Sequence, residues 1–179
     1  RGWVCTVNVA ILMMMRNDAR LQRFVDRAAF VVADGQPLIW CARHFGNQLP
    51  ERVTGIDLID ALCARAAHEG KGVYLLGASD EIVSEVAKRM RERFANLQLE
   101  YSSGYFSADD AASRANRIRA SGAEILFVAM GVPRQENFIE EQWPRLGVGV
   151  AIGVGGSFDV LAGRRARAAS RGRCIRAPG

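Results

Sequence analysis

The sequence predicts a single α/β domain, in which a mostly parallel sheet carries helices on both faces. Strand-like and helix-like segments alternate along the chain as far as Gly163, which is the order that parallel sheets require. Several strand-like segments are continuous apolar runs, as expected for strands buried on both faces. The chain has 179 residues, 49% of them hydrophobic and 24% charged, which suits one soluble domain with a full core.

The strands are predicted from short aliphatic and aromatic runs that end in glycine, serine or aspartate. They cover residues 3–9, 30–35, 72–79, 97–105, 124–130 and 147–152. The helices are predicted from apolar residues three and four positions apart and from capping residues at their ends. They cover residues 10–27, 37–45, 56–69, 80–94, 107–121 and 133–143. This order of elements is typical of a Rossmann-like fold.

The net charge of +5 comes from the C-terminal end of the chain. Six arginines and no acidic residue follow Gly163, and the preceding residues hold 18 basic and 19 acidic side chains. We therefore predict a folded body over residues 1–163 and a disordered arginine-rich tail over residues 164–179. Such a tail is either a solvated end or a segment that contacts anionic lipid or nucleic acid.

The cysteines and histidines do not form a metal-binding pattern. The four cysteines include no Cys-x-x-Cys pair, and the chain has only two histidines. We therefore predict no metal site and no cofactor, and reduced cysteines indicate a cytoplasmic protein. No run of about 18 apolar residues is present, so no transmembrane helix is expected.

The segment GVPRQENFIEEQW directly follows the apolar strand EILFVAM. The strand ends at Met130, Gly131 follows it, and Gln135 and Glu136 lie in the first turn of the next helix. Ligands of open α/β sheets bind at the carboxyl ends of the strands, and a helix start favours anions such as phosphate. The segment therefore predicts a binding site for a phosphate-containing ligand.

A second strand end carries the glycine cluster GVGGSFD. Gly155 and Gly156 would allow a close approach of the backbone to a pyrophosphate, and Asp159 could accept a hydrogen bond from a ribose or a base. The cluster does not match G-x-G-x-x-G, because its sixth position is Phe158, and it lacks a Walker lysine. We therefore expect a nucleotide or sugar-nucleotide site rather than a dinucleotide site.

Other polar residues near strand ends are further candidates. Asp34 follows the second strand, which we predict to be buried, and could act as a general base or bind a sugar hydroxyl, although an Asp-Gly turn alone explains its presence. Thr6 and Asn8 share one face of the first strand, where their partners are either a ligand or neighbouring backbone. Arg52 could bind a diphosphate or form a surface ion pair. Tyr105 could stack on a base or pack into the core.

Taken together, these segments resemble the WecG/TagA/CpsF family of bacterial glycosyltransferases. The matching pieces, in chain order, are TVN, ADGQPLIW, PERVTGIDL, GVYLLGA, SGYF, ILFVAMGVPRQE and GVGGSFDVLAG. They extend from Thr6 to Gly163 with compatible spacing.

The resemblance implies an activity. Family members transfer a sugar from a UDP-sugar to a polyprenyl-diphosphate-linked sugar at the inner face of the cytoplasmic membrane. The donors include N-acetylmannosamine-type and glucose-type sugars, and the products belong to teichoic acid, common antigen or exopolysaccharide. The reaction inverts the anomeric centre and is thought to need no metal. Peripheral membrane contact is expected, a homo-oligomer is left open, and nucleic acid is not an expected partner.

The resemblance also assigns roles to individual residues. Asp34 would be the general base, Arg52 would stabilise the diphosphate leaving group, and Gln135 would lie beside the donor. Thr6 and Asn8 would line the same pocket. Tyr105 and Asp159 would contact the UDP moiety.

The chain departs from the family pattern after Gly163. Family members continue with an R-A-P segment and an amphipathic appendage, whereas this chain reads GRRARAASRGRCIRAPG. We expect the arginine-rich tail to stand in place of the appendage. The alternative is therefore that the protein is a family member that binds UDP but is catalytically impaired. A nicotinamide-dependent oxidoreductase is disfavoured by the poor glycine match.

Overall fold

The computed structural model describes residues 1–47, 49 and 52–165. Within these residues six strands form one sheet, β1 (Gly2–Val7), β2 (Phe30–Ala33), β3 (Val73–Gly77), β4 (Leu99–Ser102), β5 (Ile125–Ala129) and β6 (Val150–Gly153). Their order across the sheet is β2-β1-β6-β5-β3-β4, and every neighbouring pair is parallel. The predicted parallel α/β sheet is confirmed.

Helices cover both faces of this sheet. The described helices are α1 (Val9–Met15), α2 (Ala19–Asp26), α3 (Gln36–His44), α4 (Gly55–Glu69), α5 (Asp80–Arg93), α6 (Ala111–Ala120), α7 (Arg134–Leu146) and α8 (Ser157–Leu161). One apolar layer joins the sheet to α1, α2, α6 and α7, and a second joins it to α4, α5 and α8. Strands β3 and β5 are buried along their whole length, which explains their continuous apolar sequences.

The first predicted helix, over residues 10–27, was wrong as a single element. The structure has two helices here, because Asp18 begins α2 by accepting hydrogen bonds from the backbone N–H groups of Arg20 and Leu21. Strand β1 also ends earlier than predicted, at Val7. Asn8 is the N-cap of α1 rather than a strand residue, and its side chain accepts a hydrogen bond from the N–H of Ile11.

The second strand was predicted to be buried, and this was also wrong. β2 lies at the edge of the sheet, where Phe30 is 71% exposed and Val31 is 53% exposed. At the other end of the chain, the glycine cluster leads into the short helix α8, which the sequence did not predict. Helix α7 continues past Pro144 to the buried Leu146 and ends at Gly147, which has the left-handed conformation.

The start of α4 packs directly against the loop that joins β6 to α8. A Cβ atom on Gly55 would lie 2.6 Å from Ser157 Oγ and 3.1 Å from Val154 Cβ, so no larger residue fits without movement. Thr54 and Asp57 form a reciprocal capping box at this helix start. The contact brings the segment around Arg52 to the carboxyl edge of the sheet.

Candidate active site

A cleft of about 850 Å³ opens at the carboxyl ends of β1, β2 and β6. Ligands of open parallel sheets bind at this edge. Seven of the residues predicted from the sequence line the cleft, namely Thr6, Asn8, Asp34, Arg52, Gln135, Gly155 and Gly156. The structure therefore brings together polar side chains that are far apart in the sequence.

The strand register sets the relative height of these side chains. Val7 of β1 pairs with Ala33 of β2, and the N–H of Asp34 donates to the carbonyl of Val7 at 2.7 Å. On the other side of β1, Cys5 pairs with Gly153. Asp34 and the glycine loop after β6 consequently flank the end of β1.

The carboxyl group of Asp34 is half-buried in the cleft wall. Burial is the largest influence on its pKa and raises it above the ordinary value. The positive charge of Arg52 and a hydrogen bond from the N–H of Gly55 lower the pKa, while the negative charge of Asp57 raises it further. A carboxylate with a raised pKa is a stronger base than a solvated one, which is the property that a general base needs.

Thr6 and Asn8 both have protein partners, which answers the question that the sequence left open. Thr6 is buried, and its hydroxyl donates to the carbonyl oxygen of Gly153 at 2.8 Å. The Oδ1 atom of Asn8 accepts from the N–H of Ile11 at 3.0 Å. Both residues still line the cleft, so they support its wall and also offer polar atoms to it.

Gln135 and Glu136 start the helix after β5, as predicted, but only Gln135 lines the cleft. Its Nε2 atom donates to Glu136 Oε1 at 2.8 Å, and its Oε1 atom accepts from the N–H of Gly155 at 3.1 Å. Burial raises the pKa of Glu136 to about 7, and the hydrogen bond from Gln135 acts in the opposite direction. The backbone at Gly155 was predicted to approach a pyrophosphate, but its N–H already donates a hydrogen bond to Gln135 within the protein.

Four of the predicted site residues lie outside the cleft lining, namely Tyr105, Gly131, Glu136 and Asp159. Tyr105 follows β4 at the far edge of the sheet and is 75% exposed. Gly131 is exposed in the turn before α7, where its positive φ of 77° favours glycine. Asp159 is on α8 beside the cleft, and its Oδ2 atom would lie 3.9 Å from a Cβ on Gly156.

Four polar residues that line the cleft were not among the site residues predicted from the sequence, namely Gln36, Thr54, Ser157 and Arg165. Gln36 follows the Asp-Gly turn, and Ser157 begins α8, where its hydroxyl donates to the carbonyl of Val154 at 2.6 Å. Arg165 was assigned to the disordered tail, whereas the structure describes it at the cleft. The rest of the predicted tail, residues 166–179, lies outside the described residues.

The described cysteines and acidic residues do not cluster. Cys5, Cys41 and Cys63 are free thiols. In the part of the chain that the structure describes, no three His, Cys, Asp or Glu side chains lie close enough to hold a metal ion. The charged residues that line the cleft in the described structure are Asp34, Arg52 and Arg165.

A comparison with known protein families shows which family this chain is similar to. The model of the glycosyl transferase WecG/TagA/CpsF family matches residues 1–174. The chain belongs to the WecG/TagA/CpsF family. This membership confirms the resemblance inferred from the sequence motifs, and the match includes every residue of the cleft.

A curated relative is also similar over nearly the whole chain. It is N-acetylglucosaminyldiphosphoundecaprenol N-acetyl-beta-D-mannosaminyltransferase of Bacillus spizizenii (strain ATCC 23059 / NRRL B-14472 / W23), which is 32% identical over 170 residues. The matched region covers 94% of the chain described here but only 65% of the Bacillus protein. The chain thus spans slightly less than two thirds of the length of that protein.

The raised pKa of Glu136 predicts a pH-dependent stability. Because burial raises the pKa of Glu136 to about 7, the folded protein should hold a proton on this side chain up to that pH, whereas an unfolded glutamate releases it near its ordinary pKa of 4.5. The free energy of unfolding should therefore fall by about 3 kcal/mol as the pH rises through this window, relative to a Glu136→Gln variant. Cys5 stays neutral throughout, because burial raises the pKa of its thiol to about 12.

Urea unfolding at several pH values, at roughly pH 4.5 to 8, measures this difference. The two proteins should have similar stability at the acid end, and the variant should be more stable at the alkaline end. Parallel curves across the whole range would contradict the assignment of the titrating group to Glu136.

Proposed function

We propose that this protein is an inverting glycosyltransferase. It moves an N-acetylmannosamine-type or glucose-type sugar from a UDP-sugar to a polyprenyl-diphosphate-linked acceptor in the synthesis of bacterial surface polysaccharide or teichoic acid. The observation that carries the proposal is the single cleft that gathers Asp34, Arg52 and Gln135 at the carboxyl edge of the sheet. Family membership and the name of the Bacillus relative support the same reaction class.

Inversion requires one group that removes a proton from the acceptor. We assign this role to Asp34, whose carboxylate takes the proton of the acceptor hydroxyl as the hydroxyl oxygen bonds to the anomeric carbon. The bond between that carbon and the UDP oxygen breaks, and UDP leaves with the electron pair. The half-buried setting of Asp34 supports this role, because burial raises its proton affinity.

The departing diphosphate needs positive charge near it. Arg52 lines the same cleft as Asp34 and can donate two parallel hydrogen bonds to phosphate oxygens. Arg165 lines the cleft beside Gly156 and can supply a second positive charge. These two side chains are the proposed replacement for a metal ion in charge stabilisation.

The Asp34→Asn variant tests the base. Asparagine keeps the shape of the side chain but cannot accept the proton, so turnover should fall by about a thousandfold while UDP affinity changes little. Radiolabelled sugar transfer to a lipid-diphosphate acceptor measures turnover, and calorimetry measures UDP binding. Asp80→Asn, a change at the start of α5 outside the cleft, is the control. An equal loss of UDP binding and turnover would remove Asp34 from the role of base.

The Arg52→Ala variant tests the leaving-group site. Loss of a charge-assisted pair to the diphosphate should weaken UDP binding by about 10- to 100-fold and lower turnover with it. UDP titration in the presence of EDTA, with NAD as the comparison ligand, measures the affinity. Arg134→Ala is the matched control, since Arg134 is exposed and bonded to the carbonyl of Phe106. Unaltered UDP affinity in Arg52→Ala would contradict the assignment, and absence of UDP binding by the unaltered chain would contradict the proposed function itself.

Exposed apolar side chains lie on the two helices that begin at the cleft. Helices α1 and α3 both begin at the cleft, where Ile11 and Pro37 line it. Beyond these positions the helices carry the exposed side chains of Leu12, Met13 and Trp40, and Phe45 follows α3. We call these four residues the apolar surface.

The charges around the apolar surface favour an anionic lipid membrane as its partner. Residues 9–17 and 35–49 contain no aspartate or glutamate, and Arg16 and Arg43 are exposed among them. Exposed aromatic and aliphatic side chains with cations and without acids are typical of proteins that bind at a lipid interface. No helix in the described ranges is long and apolar enough to cross a bilayer. The exposed apolar and basic side chains support the proposal that the protein contacts the inner face of the cytoplasmic membrane peripherally.

Vesicle binding tests this surface. The unaltered protein should sediment with vesicles that contain anionic lipid and less with zwitterionic ones. The double change Trp40→Ser and Phe45→Ser should weaken that binding by about tenfold or more, because two exposed aromatic side chains no longer enter the interface. Tyr105→Ser, which alters an exposed aromatic residue at the opposite edge of the sheet, is the control.

Two results would contradict the lipid assignment. The first is unchanged vesicle binding by the double variant. The second is that the unaltered protein is a dimer and the double variant a monomer. In that case a second copy of the chain, rather than a membrane, would cover the apolar surface.

A further inference from the structure

Glu136 is a buried carboxylate beside the cleft that the proposed reaction does not use. Its side chain is 7% exposed and does not line the cleft. The Oε1 atom accepts a hydrogen bond from Gln135 Nε2, and the Oε2 atom has no hydrogen-bond partner among the described residues. A buried carboxylate is costly to keep, so its contact with Gln135 is the feature to explain.

The contact determines which way the amide of Gln135 points. A glutamine amide has an oxygen and a nitrogen of similar size, and only its partners distinguish the two orientations. The Gly155 N–H can only donate, and it bonds to Gln135 Oε1. Glu136 Oε1 accepts from the nitrogen at the other end. With both ends occupied, rotation of the amide would break two hydrogen bonds.

The amide and the carboxylate together rest on the end of β6. A Cβ atom on Gly153 would lie 2.7 Å from Gln135 Nε2 and 3.3 Å from Glu136 Oε1, so the missing side chain of Gly153 makes room for both. The carbonyl oxygen of the same glycine accepts from Thr6 Oγ1. One set of contacts therefore joins β1, β6, α7 and the glycine loop at the floor of the cleft.

We propose that Glu136 is a positioning residue that fixes the amide of Gln135 and, through it, the loop at Gly155 and Gly156. Its essential atom is the acceptor oxygen facing Gln135. Glu136 acts on the donor only through these neighbours, and this functional consequence rests on the proposed donor site. The structural consequence, an ordered Gly155 amide, does not depend on what the cleft binds.

Hydrogen exchange at the Gly155 amide is the first test. In Glu136→Ala the amide of Gln135 loses one partner, and protection of the Gly155 N–H should fall about five- to tenfold. Glu136→Gln keeps an oxygen that can accept from Gln135, so it should restore the protection. Gln142→Ala is the matched control, because Gln142 is on the same helix, is 8% exposed and also has an unpartnered buried oxygen.

UDP titration of the same proteins is the second test. Glu136→Ala should bind UDP about tenfold more weakly, through lost pre-organisation, while Glu136→Gln and Gln142→Ala stay close to the unaltered protein. Unaltered exchange at Gly155 in Glu136→Ala would overturn the positioning role. Equal loss of protection in Glu136→Gln, or in Gln142→Ala, would also overturn it, since the oxygen would then not be the essential feature.

The two tests separate the two proposals. If the unaltered chain does not bind UDP while exchange at Gly155 responds as expected, the donor site fails and the positioning contact stands. If the unaltered chain binds UDP and Glu136→Ala behaves identically in both tests, the positioning role fails and the donor site stands.

Discussion

The parallel pairing of β1 with two neighbours is the constraint on which the cleft depends. β1 pairs with β2 on one side and β6 on the other, and all three strands end at the same edge of the sheet. Since β2 and β6 are far from each other in the chain, no local sequence preference could hold their ends together. Their shared partner brings the turn at Asp34 and the glycine loop after β6 to opposite sides of Thr6 and Asn8.

The start of α4 completes the cleft, and its charges depend on that packing. Gly55 approaches Val154 and Ser157 so closely that a side chain at this position would collide with them. Its backbone N–H reaches the carboxylate of Asp34 and lowers the pKa of that group, as does the charge of Arg52. Burial acts in the opposite direction and is the larger effect. Asp34 therefore combines a raised proton affinity with a hydrogen bond from the Gly55 N–H and the nearby positive charge of Arg52.

Much of the fold could be predicted from the sequence because its signals are local. The apolar runs of β3 and β5 and the spacing of apolar residues in α4 and α5 depend on neighbours within a few positions. The exposure of β2 could not be predicted in the same way, because Phe30 and Val31 have the sequence of a buried strand. Position at the edge of the sheet follows from the strand order, which is a property of the whole chain.

Some residues of the candidate site could be predicted from local sequence, and others depend on the strand order. Motifs that immediately follow a strand, such as Asp34 and Gln135, were found because the carboxyl ends of parallel strands lie at one edge. Tyr105 follows a strand by the same rule, but its strand is at the far edge of the sheet and the residue lies outside the cleft lining. The rule gives the edge of the sheet correctly, and the strand order decides which residues share a site.

Arg165 is a cleft residue that composition alone did not indicate. The run of arginines after Gly163 was assigned to a tail because it lacks acidic and apolar residues. In the structure, the backbone N–H groups of Arg164 and Arg165 both donate to the carbonyl oxygen of Asp159, which ties the start of this run to α8. Arg89 of α5 donates to the carbonyl of Leu161 and holds the end of the same helix. These contacts bring the Arg165 side chain to within 3.8 Å of where a Cβ on Gly156 would lie. The Arg165 side chain thus lies at the wall of the cleft, and the described structure continues to Arg165, two residues past the glycine where the composition changes.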